Sequence, residues 1–280
     1  LPSLPQGQTV IETNNDSKLK LGDHADLNQV QVEQNNMLIT SKAARIDLDS
    51  DNKIKSLNFQ GRSHYQTPDV IVYAQAGKFD IQKDQVRLDR ITYRIQLEGN
   101  NAWGHAKRVW RDEQHRYYFI DPYLSFCPPN GNTWSVNAGM MIYDPNRSIV
   151  ILKDPTIMAY DHPVVSAAYL DFATKGRKSG FLKPVLGATP YAGTILSIPY
   201  YFNIASNMDL VLGPTVYTKR GGGIDSKLRY LTTAHSGELK FKGLYDFDQK
   251  TKRYQVDWSQ HSHFLRDFTV DINYTNFSDK

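Results

Sequence analysis

The stretch that most clearly predicts the fold runs from Ala76 to Leu88 and reads AGKFDIQKDQVRL. Apolar residues alternate with polar ones on both sides of a short polar segment, residues 82–85. Alternation with a period of two is typical of a β-strand with one buried face, and a polar break between two such runs indicates a hairpin. Residues 76–88 are therefore predicted to form two antiparallel strands joined by a turn.

The same unit recurs along the first half of the chain. Segments that begin at Ala43, Ala76, Ala106 and Ala138 lie 33, 30 and 32 residues apart, and each is followed by a polar turn and a second run. A single hairpin cannot bury its apolar face alone, so neighbouring hairpins must stack or curl around a common interior. The repeat predicts a β-roll or sandwich.

The hairpins also predict which side chains face that interior. The predicted inner residues are Ile46, Leu48, Phe79, Ile81, Val86 and Leu88. The neighbours predicted to face water are Arg45, Asp47, Lys78, Asp80 and Arg87. The apolar set either fills an ordinary core or lines an interior that admits an acyl chain. Periodicity alone does not separate these two alternatives.

From about residue 194 the alternating runs become longer and more regular. Segments of about ten residues with one apolar, aromatic-flanked face are typical of outer-membrane barrel strands. An antiparallel sheet that covers a core gives the same alternation, but the strand length and the abundance of tyrosine favour the barrel. About six such strands precede Lys280, whereas a bacterial barrel needs about eight. The sequence therefore predicts that the barrel continues in a longer chain.

Composition excludes several classes of protein. The 280 residues are 40% hydrophobic, which is too apolar for a disordered chain. The net charge of +4 is too small to indicate a nucleic-acid partner. The single cysteine excludes an internal disulfide framework. No apolar run approaches the roughly 18 residues of a transmembrane helix.

Motifs for catalysis are missing from the sequence. There is no nucleophile elbow, no phosphate-binding glycine loop and no zinc-protease motif, so neither an enzymatic activity nor a cofactor is predicted. His261 and His263 lie two positions apart, but no cysteine or cluster of carboxylates is near them in the sequence. They therefore predict no metal site.

Three runs of sequence carry information beyond periodicity. They are Arg177–Pro184, Ile198–Asp209 with its continuation to Pro214 and Gly221, and Cys127–Pro129 followed by Asn132–Ser135. In this order they resemble the LptD family (also called OstA or Imp) of outer-membrane lipopolysaccharide-assembly proteins. The preceding hairpin repeat resembles the OstA-type periplasmic domain of the same family. The resemblance spans most of the chain.

The resemblance implies an all-β fold in two parts. Residues 1–172 would be a periplasmic OstA-like β-jellyroll, and residues 173–280 the first roughly six strands of a large antiparallel outer-membrane β-barrel. The implied function is transport of lipopolysaccharide into the outer leaflet of the outer membrane. The implied partners are lipopolysaccharide, an LptA-type periplasmic bridge protein, an LptE-type plug lipoprotein and outer-membrane lipids. Acyl chains would pass through the jellyroll interior and leave through a lateral gate in the barrel.

The resemblance also implies roles for particular residues. Pro199 and Pro214 match the strand prolines of the family and are expected at the lateral gate, because proline removes a hydrogen bond from a strand ladder. Ordinary edge or bulge prolines are the alternative. The basic cluster Lys175, Arg177, Lys178 and Lys183 is expected to contact phosphates of the cargo, with a solvated turn as the alternative.

Cys127 matches a cysteine that in this family forms an interdomain disulfide. The alternative is a buried free thiol, because this sequence contains no second cysteine to serve as its partner. A second alternative, from another functional class, is a soluble two-domain β protein that carries a lipid or glycan through the periplasm. The length of the native reading frame would discriminate between this shuttle and the membrane protein.

Overall fold

The computed structural model describes residues 9–13, 18–19, 24–51, 53–97, 100–126, 134–159, 161–182, 184–264 and 268–278. The described chain is all β with antiparallel pairing, as the sequence predicts. Contacts divide it into two compact units, unit 1 (Leu1–Lys175) and unit 2 (Gly176–Lys280). Among the described residues, no helix has the length and hydropathy that a membrane-spanning helix requires.

Unit 1 contains one large sheet. Its described strands are β1 (Thr9–Glu12), β2 (Lys18–Leu19), β3 (His24–Gln34), β4 (Met37–Leu48), β5 (Ile54–Gln66), β6 (Val70–Asp80), β7 (Gln85–Leu97), β8 (Asn100–Arg111), β9 (Tyr117–Ile120), β10 (Tyr123–Ser125), β11 (Trp134–Asn137), β12 (Met140–Asp144), β13 (Ile149–Lys153), β14 (Thr156–Ala159), β15 (His162–Ser166) and β16 (Tyr169–Ala173). Strands β3 to β8 pair in sequence order, and the sheet then divides. One branch continues through β10, β11, β14 and β15, and the other through β9, β12, β13 and β16.

The four predicted hairpins are confirmed, and their turns share one device. Each turn begins at an aspartate, namely Asp49, Asp80, Asp112 or Asp144, whose carboxylate accepts the backbone N–H of a residue three or four positions later. Such a side-chain bond substitutes for a backbone bond and fixes a tight turn. The hydrogen bond from the Lys53 N–H also lowers the pKa of Asp49.

Unit 2 contains a second antiparallel sheet. Its described strands are β17 (Gly180–Phe181), β18 (Val185–Thr189), β19 (Gly193–Ser197), β20 (Tyr200–Ala205), β21 (Met208–Tyr217), β22 (Gly221–Leu231), β23 (His235–Asp246), β24 (Thr251–Phe264) and β25 (Phe268–Phe277). Strands β20 to β25 pair in sequence order. Strand β19 also pairs with β21, while β17 pairs with β20 and β18 with β19.

The register of unit 2 places residues of one kind in rows across the sheet. One row is apolar and consists of Phe202, Leu210, Leu228, Leu239, Trp258 and Tyr274. The adjacent row is polar and consists of Asn203, Asp209, Arg229, Glu238, Ser259 and Asn273. Neighbouring rows project from opposite faces, and a slip of one residue would exchange them. The pattern therefore fixes the pairing register and gives the sheet one apolar and one polar face.

Candidate functional site

The apolar interior of unit 1 is organised in two rows that cross its sheet. The shorter row joins Ile46, Leu57, Phe79 and Val86 on β4 to β7. The longer row consists of Ala44, Phe59, Gly77, Leu88, Val109, Phe119, Met141, Leu152 and Leu170. A continuous apolar ribbon is the surface along which an extended hydrocarbon chain can be placed without meeting a polar group.

Most of the predicted inner residues lie in these rows. Phe79, Val86, Leu88 and Ile46 are buried. Leu48 and Ile81 differ, because they are only half-buried. Leu48 ends β4 and Ile81 follows β6, so both lie next to the hairpin turns, where the sheet no longer covers them. Of the neighbours predicted to face water, Lys78, Arg45 and Arg87 are exposed, while Asp47 and Asp80 are half-buried. A role for the inner residues in binding lipid stays a prediction.

Gly77 has a packing role in the longer row. A Cβ atom added there would lie 2.5 Å from Leu88 Cδ2 and 3.0 Å from the carbonyl oxygen of Arg87. Any larger residue must therefore displace Leu88 or the neighbouring strand, so glycine at this position allows the interior side chains to close over the backbone.

A buried polar cluster lies at the end of the shorter row. Arg111 is the direct partner of Val86 on the next strand, is only 5% exposed, and forms an ion pair with Asp84. The hydroxyls of Tyr65 and Tyr117 are 2.9 Å apart. Burial raises the pKa of Tyr65 well above its ordinary value, so this phenol stays protonated at neutral pH. The apolar row thus ends at the Arg111–Asp84 ion pair and at two phenol hydroxyl groups.

In unit 2, Pro199 and Pro214 lie close together in the sheet. Pro199 is predicted to lie inside a strand, but Ile198 and Pro199 separate β19 from β20, both of which pair with β21. Pro214 lies within β21, where its carbonyl oxygen accepts the N–H of Ile198 at 3.3 Å. The carbonyl oxygen of Pro199 accepts the N–H of Leu182 at 2.8 Å. We call this region the proline junction.

Each proline keeps half of a paired interaction. In an antiparallel ladder, two hydrogen-bonded residues exchange one bond in each direction. Pro199 and Pro214 accept a bond from Leu182 and Ile198 respectively, but neither can donate the return bond. Each of the two strand pairings that meet at the proline junction therefore lacks one hydrogen bond, a loss of about 0.5–1.5 kcal/mol per bond.

The predicted basic cluster has carboxylate partners. Lys175 Nζ is 2.9 Å from Asp69 Oδ1 in unit 1. In unit 2, Arg177 Nη2 is 2.8 Å from Asp209 Oδ2. Lys178 is exposed. A phosphate would have to compete with these carboxylates for Lys175 and Arg177, and phosphate contact at this cluster stays a prediction.

Two predicted site residues, Cys127 and Lys183, lie outside the described residues. Within the part of the chain that the structure describes, no group of three or more His, Cys, Asp or Glu side chains is arranged to hold a metal ion. His261 Nε2 lies 2.9 Å from His263 Nε2, and His261 also contacts Asp271.

Sequence reasoning missed the ion network around Asp209. Asp209 is 4% exposed, and its carboxylate accepts hydrogen bonds from Arg229 Nε at 2.8 Å and Arg229 Nη2 at 3.0 Å in addition to the contact with Arg177. Arg229 is the direct partner of Asp209 on β22, twenty positions along the chain. The alternation predicts that both residues lie on a polar face, but their pairing depends on register, which the sequence alone does not give.

The sequence is similar to known proteins over most of its length. No protein-family model matches the chain. The LPS-assembly protein LptD of Legionella pneumophila (strain Paris) is 27% identical over 274 residues, which covers 89% of this chain and 33% of the relative. LptD of Haemophilus ducreyi is 29% identical over 260 residues, with 90% and 33% covered. This chain is homologous to the LptD proteins. The predicted resemblance to the LptD family is confirmed.

The chain spans about a third of the length of these LptD proteins. LptD of Nitrosomonas eutropha is 27% identical over 228 residues. Among solved structures, LptH of Pseudomonas aeruginosa matches 45% of this chain and 85% of its own, with 16% identity and a TM-score of 0.32. It is described as the LptA-homologous periplasmic component of a lipopolysaccharide transport device.

Proposed function

We propose that this chain is part of a protein that transports lipopolysaccharide to the outer leaflet of the outer membrane. The observation that carries the proposal is sequence similarity over about nine-tenths of the chain to proteins named for lipopolysaccharide assembly. In this role unit 1 lies in the periplasm and unit 2 forms the opening strands of an outer-membrane barrel. The role requires no catalytic step and no cofactor.

Unit 1 would hold the acyl chains of the cargo along its two apolar rows. Each methylene group moved out of water contributes about 0.8 kcal/mol. Phe79 and Leu57 are already completely buried, so an acyl chain must replace contacts between these side chains. Because one set of apolar contacts replaces another, the net gain is small. A small gain in binding free energy favours release of the cargo to the next site over its retention in unit 1.

Unit 2 would present its apolar row to lipid and its polar row to water. In the membrane every backbone polar group needs a partner, and a ladder of antiparallel strands provides one. The polar side chains are paired with one another, as in the contacts of Glu238 with Lys227 at 2.6 Å and Lys240 at 2.7 Å. These interactions support a face that lines a wet space.

The proline junction would weaken the barrel where the cargo leaves. Separating fully paired strands in lipid exposes each freed N–H and C=O group at a cost of several kcal/mol. Pro199 and Pro214 lower this cost because two of the bonds are already missing. An LptA-type bridge protein would deliver the cargo to unit 1, and an LptE-type lipoprotein would plug the barrel.

Photocrosslinking in cells tests the interior route. A photoreactive amino acid at the inward position Phe79 should capture lipopolysaccharide, whereas the exposed neighbouring position Lys78 serves as the matched control. Capture is expected to be at least several-fold stronger at Phe79. Equal capture at Lys78 would contradict transport through the interior.

A further inference from the structure

A line of kinks crosses unit 1 from β3 to β7. Where β5 meets its neighbours, Gly61 and Arg62 together lie opposite Lys42 on β4 and opposite Gln75 on β6, which defines a β-bulge on each side. On β7, Asp89 and Ile91 each have a paired residue on β8, whereas Arg90 between them has none. Bulges bend a strand and redirect side chains, and they are frequent beside functional sites.

Backbone strain marks the same line. Gln29 on β3 has a φ of 52°, Gly61 a φ of 78° and Arg90 a φ of 51°. Glycine adopts this left-handed region freely, whereas other residues there cost about 1–3 kcal/mol and persist only when the surroundings hold them. Arg90 lies inside a strand rather than in a turn, so its conformation is a local cost that calls for an explanation.

A cleft of about 840 Å³ lies over the kinks. Three cations from three strands line it, namely Lys42, Arg62 and Arg90. Neighbouring strands are about 4.8 Å apart, so Lys42 and Arg62 originate about 5 Å from each other and Arg62 and Arg90 about 10 Å. We call this feature the basic cleft.

The cations of the basic cleft differ from several other arginines of unit 1. Arg45, Arg108 and Arg111 each form an ion pair with an aspartate. Lys42, Arg62 and Arg90 are exposed and form no ion pair or side-chain hydrogen bond with any residue that the structure describes. Three positive charges without a carboxylate partner favour an anion as ligand.

The same cleft contains a stacked aromatic pair. His64 and Tyr73 are direct partners on β5 and β6, with ring centroids 4.9 Å apart and planes at 28°. Tyr73 is 59% exposed, which is unusual for a large ring in unit 1. A flat, exposed ring with a polar hydroxyl group provides an apolar platform beside groups that form hydrogen bonds. This combination suits a sugar ring.

We infer that the basic cleft binds a phosphorylated sugar. Lys42, Arg62 and Arg90 hold the phosphate by charge-assisted hydrogen bonds, and the sugar ring packs on Tyr73. The strained backbone at Arg90 is retained because it directs the guanidinium into the cleft. The inference rests on the geometry of unit 1 and is separate from the acyl-chain route along the apolar rows.

Ligand-observed NMR titrations of the full chain in detergent micelles test the inference. The probes are glucose 6-phosphate, glucose and inorganic phosphate. We expect binding of glucose 6-phosphate, at least tenfold tighter than of either other probe. The triple variant K42Q/R62Q/R90Q should raise the Kd at least tenfold. The control K55Q/K83Q/K153Q removes the same charge from exposed positions outside the cleft and should change the Kd less than twofold.

Other results would overturn the inference. Equal weakening by both triple variants would show a non-specific charge effect, and equal affinity for inorganic phosphate would remove the sugar assignment. Two single variants sharpen the test. Arg90→Gly keeps the left-handed backbone without strain, so the fold should persist while affinity falls several-fold. Tyr73→Ser should weaken the binding of glucose 6-phosphate but not that of inorganic phosphate. An unchanged Kd in both single variants would contradict the proposed binding mode.

Discussion

In unit 1 the aromatic residues Phe79 and Tyr143 are completely buried, whereas in unit 2 Phe241 is 37% exposed and Phe268 is 59% exposed. The contrast is general among the described residues. The buried apolar side chains end at Leu170. Glycines aside, the buried side chains of unit 2 are Ser197, Asp209, Thr215, Asp246 and Ser262.

This difference shows that one sequence pattern produces sheets with different surfaces. Both units alternate apolar and polar residues with a period of two, because that is the geometry of a strand. Unit 1 buries its apolar rows and exposes charge, as a water-soluble sheet does. In unit 2 the buried side chains are polar, whereas apolar side chains such as Phe202 and Leu239 are exposed, which is the arrangement that the proposed barrel strands require.

The largest expected effect separates the two kinds of apolar position. Phe79→Ala removes a completely buried ring from unit 1 and should lower the free energy of unfolding by about 3–5 kcal/mol. Phe241→Ala makes the same chemical change on the exposed face of unit 2 and should cost less than about 1 kcal/mol in detergent. Chemical denaturation followed by circular dichroism measures both. Equal losses of unfolding free energy in the two variants would contradict the difference in burial between the two units.

The second prediction concerns polar side chains. Asp209→Asn leaves Arg177 and Arg229 without their carboxylate and should destabilise unit 2 by about 1–3 kcal/mol, because Asp209 is buried although both arginines are half-exposed. The matched change Asp26→Asn disrupts the exposed Asp26–Arg45 pair of unit 1 and should cost less than about 0.5 kcal/mol. A larger effect at Asp26, measured by thermal unfolding, would contradict the conclusion that the more buried ion pairs of this comparison lie in unit 2.

Alkaline pH should act on unit 1 through its buried phenols. Burial raises the pKa of Tyr65, Tyr93 and Tyr143 above the ordinary value, so the folded state keeps protons that the unfolded state releases near pH 10. The stabilisation is complete below about pH 10 and is lost as the pH rises towards the folded-state values, by about 1.4 kcal/mol per pH unit for each group. Tyr65→Phe should reduce this slope. The exposed Tyr73→Phe serves as the control, and an identical change of slope in both variants would refute the explanation.

The smallest expected effect is at the proline junction. Pro214→Ala supplies the missing N–H opposite Ile198 and should stabilise the pairing of β21 by about 0.5–1.5 kcal/mol. Hydrogen exchange of the Ile198 amide should slow by up to about tenfold. Pro190→Ala, in the turn between β18 and β19, is the control and should leave this amide unchanged. Faster exchange in Pro214→Ala would contradict the description of the junction.

The hairpins of unit 1 were predictable because their determinants are local. Alternation and the turn aspartates, such as Asp49 and Asp112, act within a few residues of the chain. The break at Pro199 was only partly predictable, since proline indicates a lost bond but not whether the strand continues beyond it. The basic cleft was not predictable, because a bulge at Arg62 is defined by the partner strand. The same holds for the pairing of Asp209 with Arg229, which depends on register.

The most direct test of the opposite faces of unit 2 uses spin labels in phospholipid vesicles. Labels attached to cysteines introduced at Leu239 and at Lys240, in a Cys127→Ser background, differ by one position on β23 and by the face on which they lie. The label at position 239 should be relaxed by dissolved oxygen and protected from a water-soluble nickel chelate, and the label at position 240 should show the reverse. Access of the nickel chelate to both positions would contradict a lipid-facing apolar row.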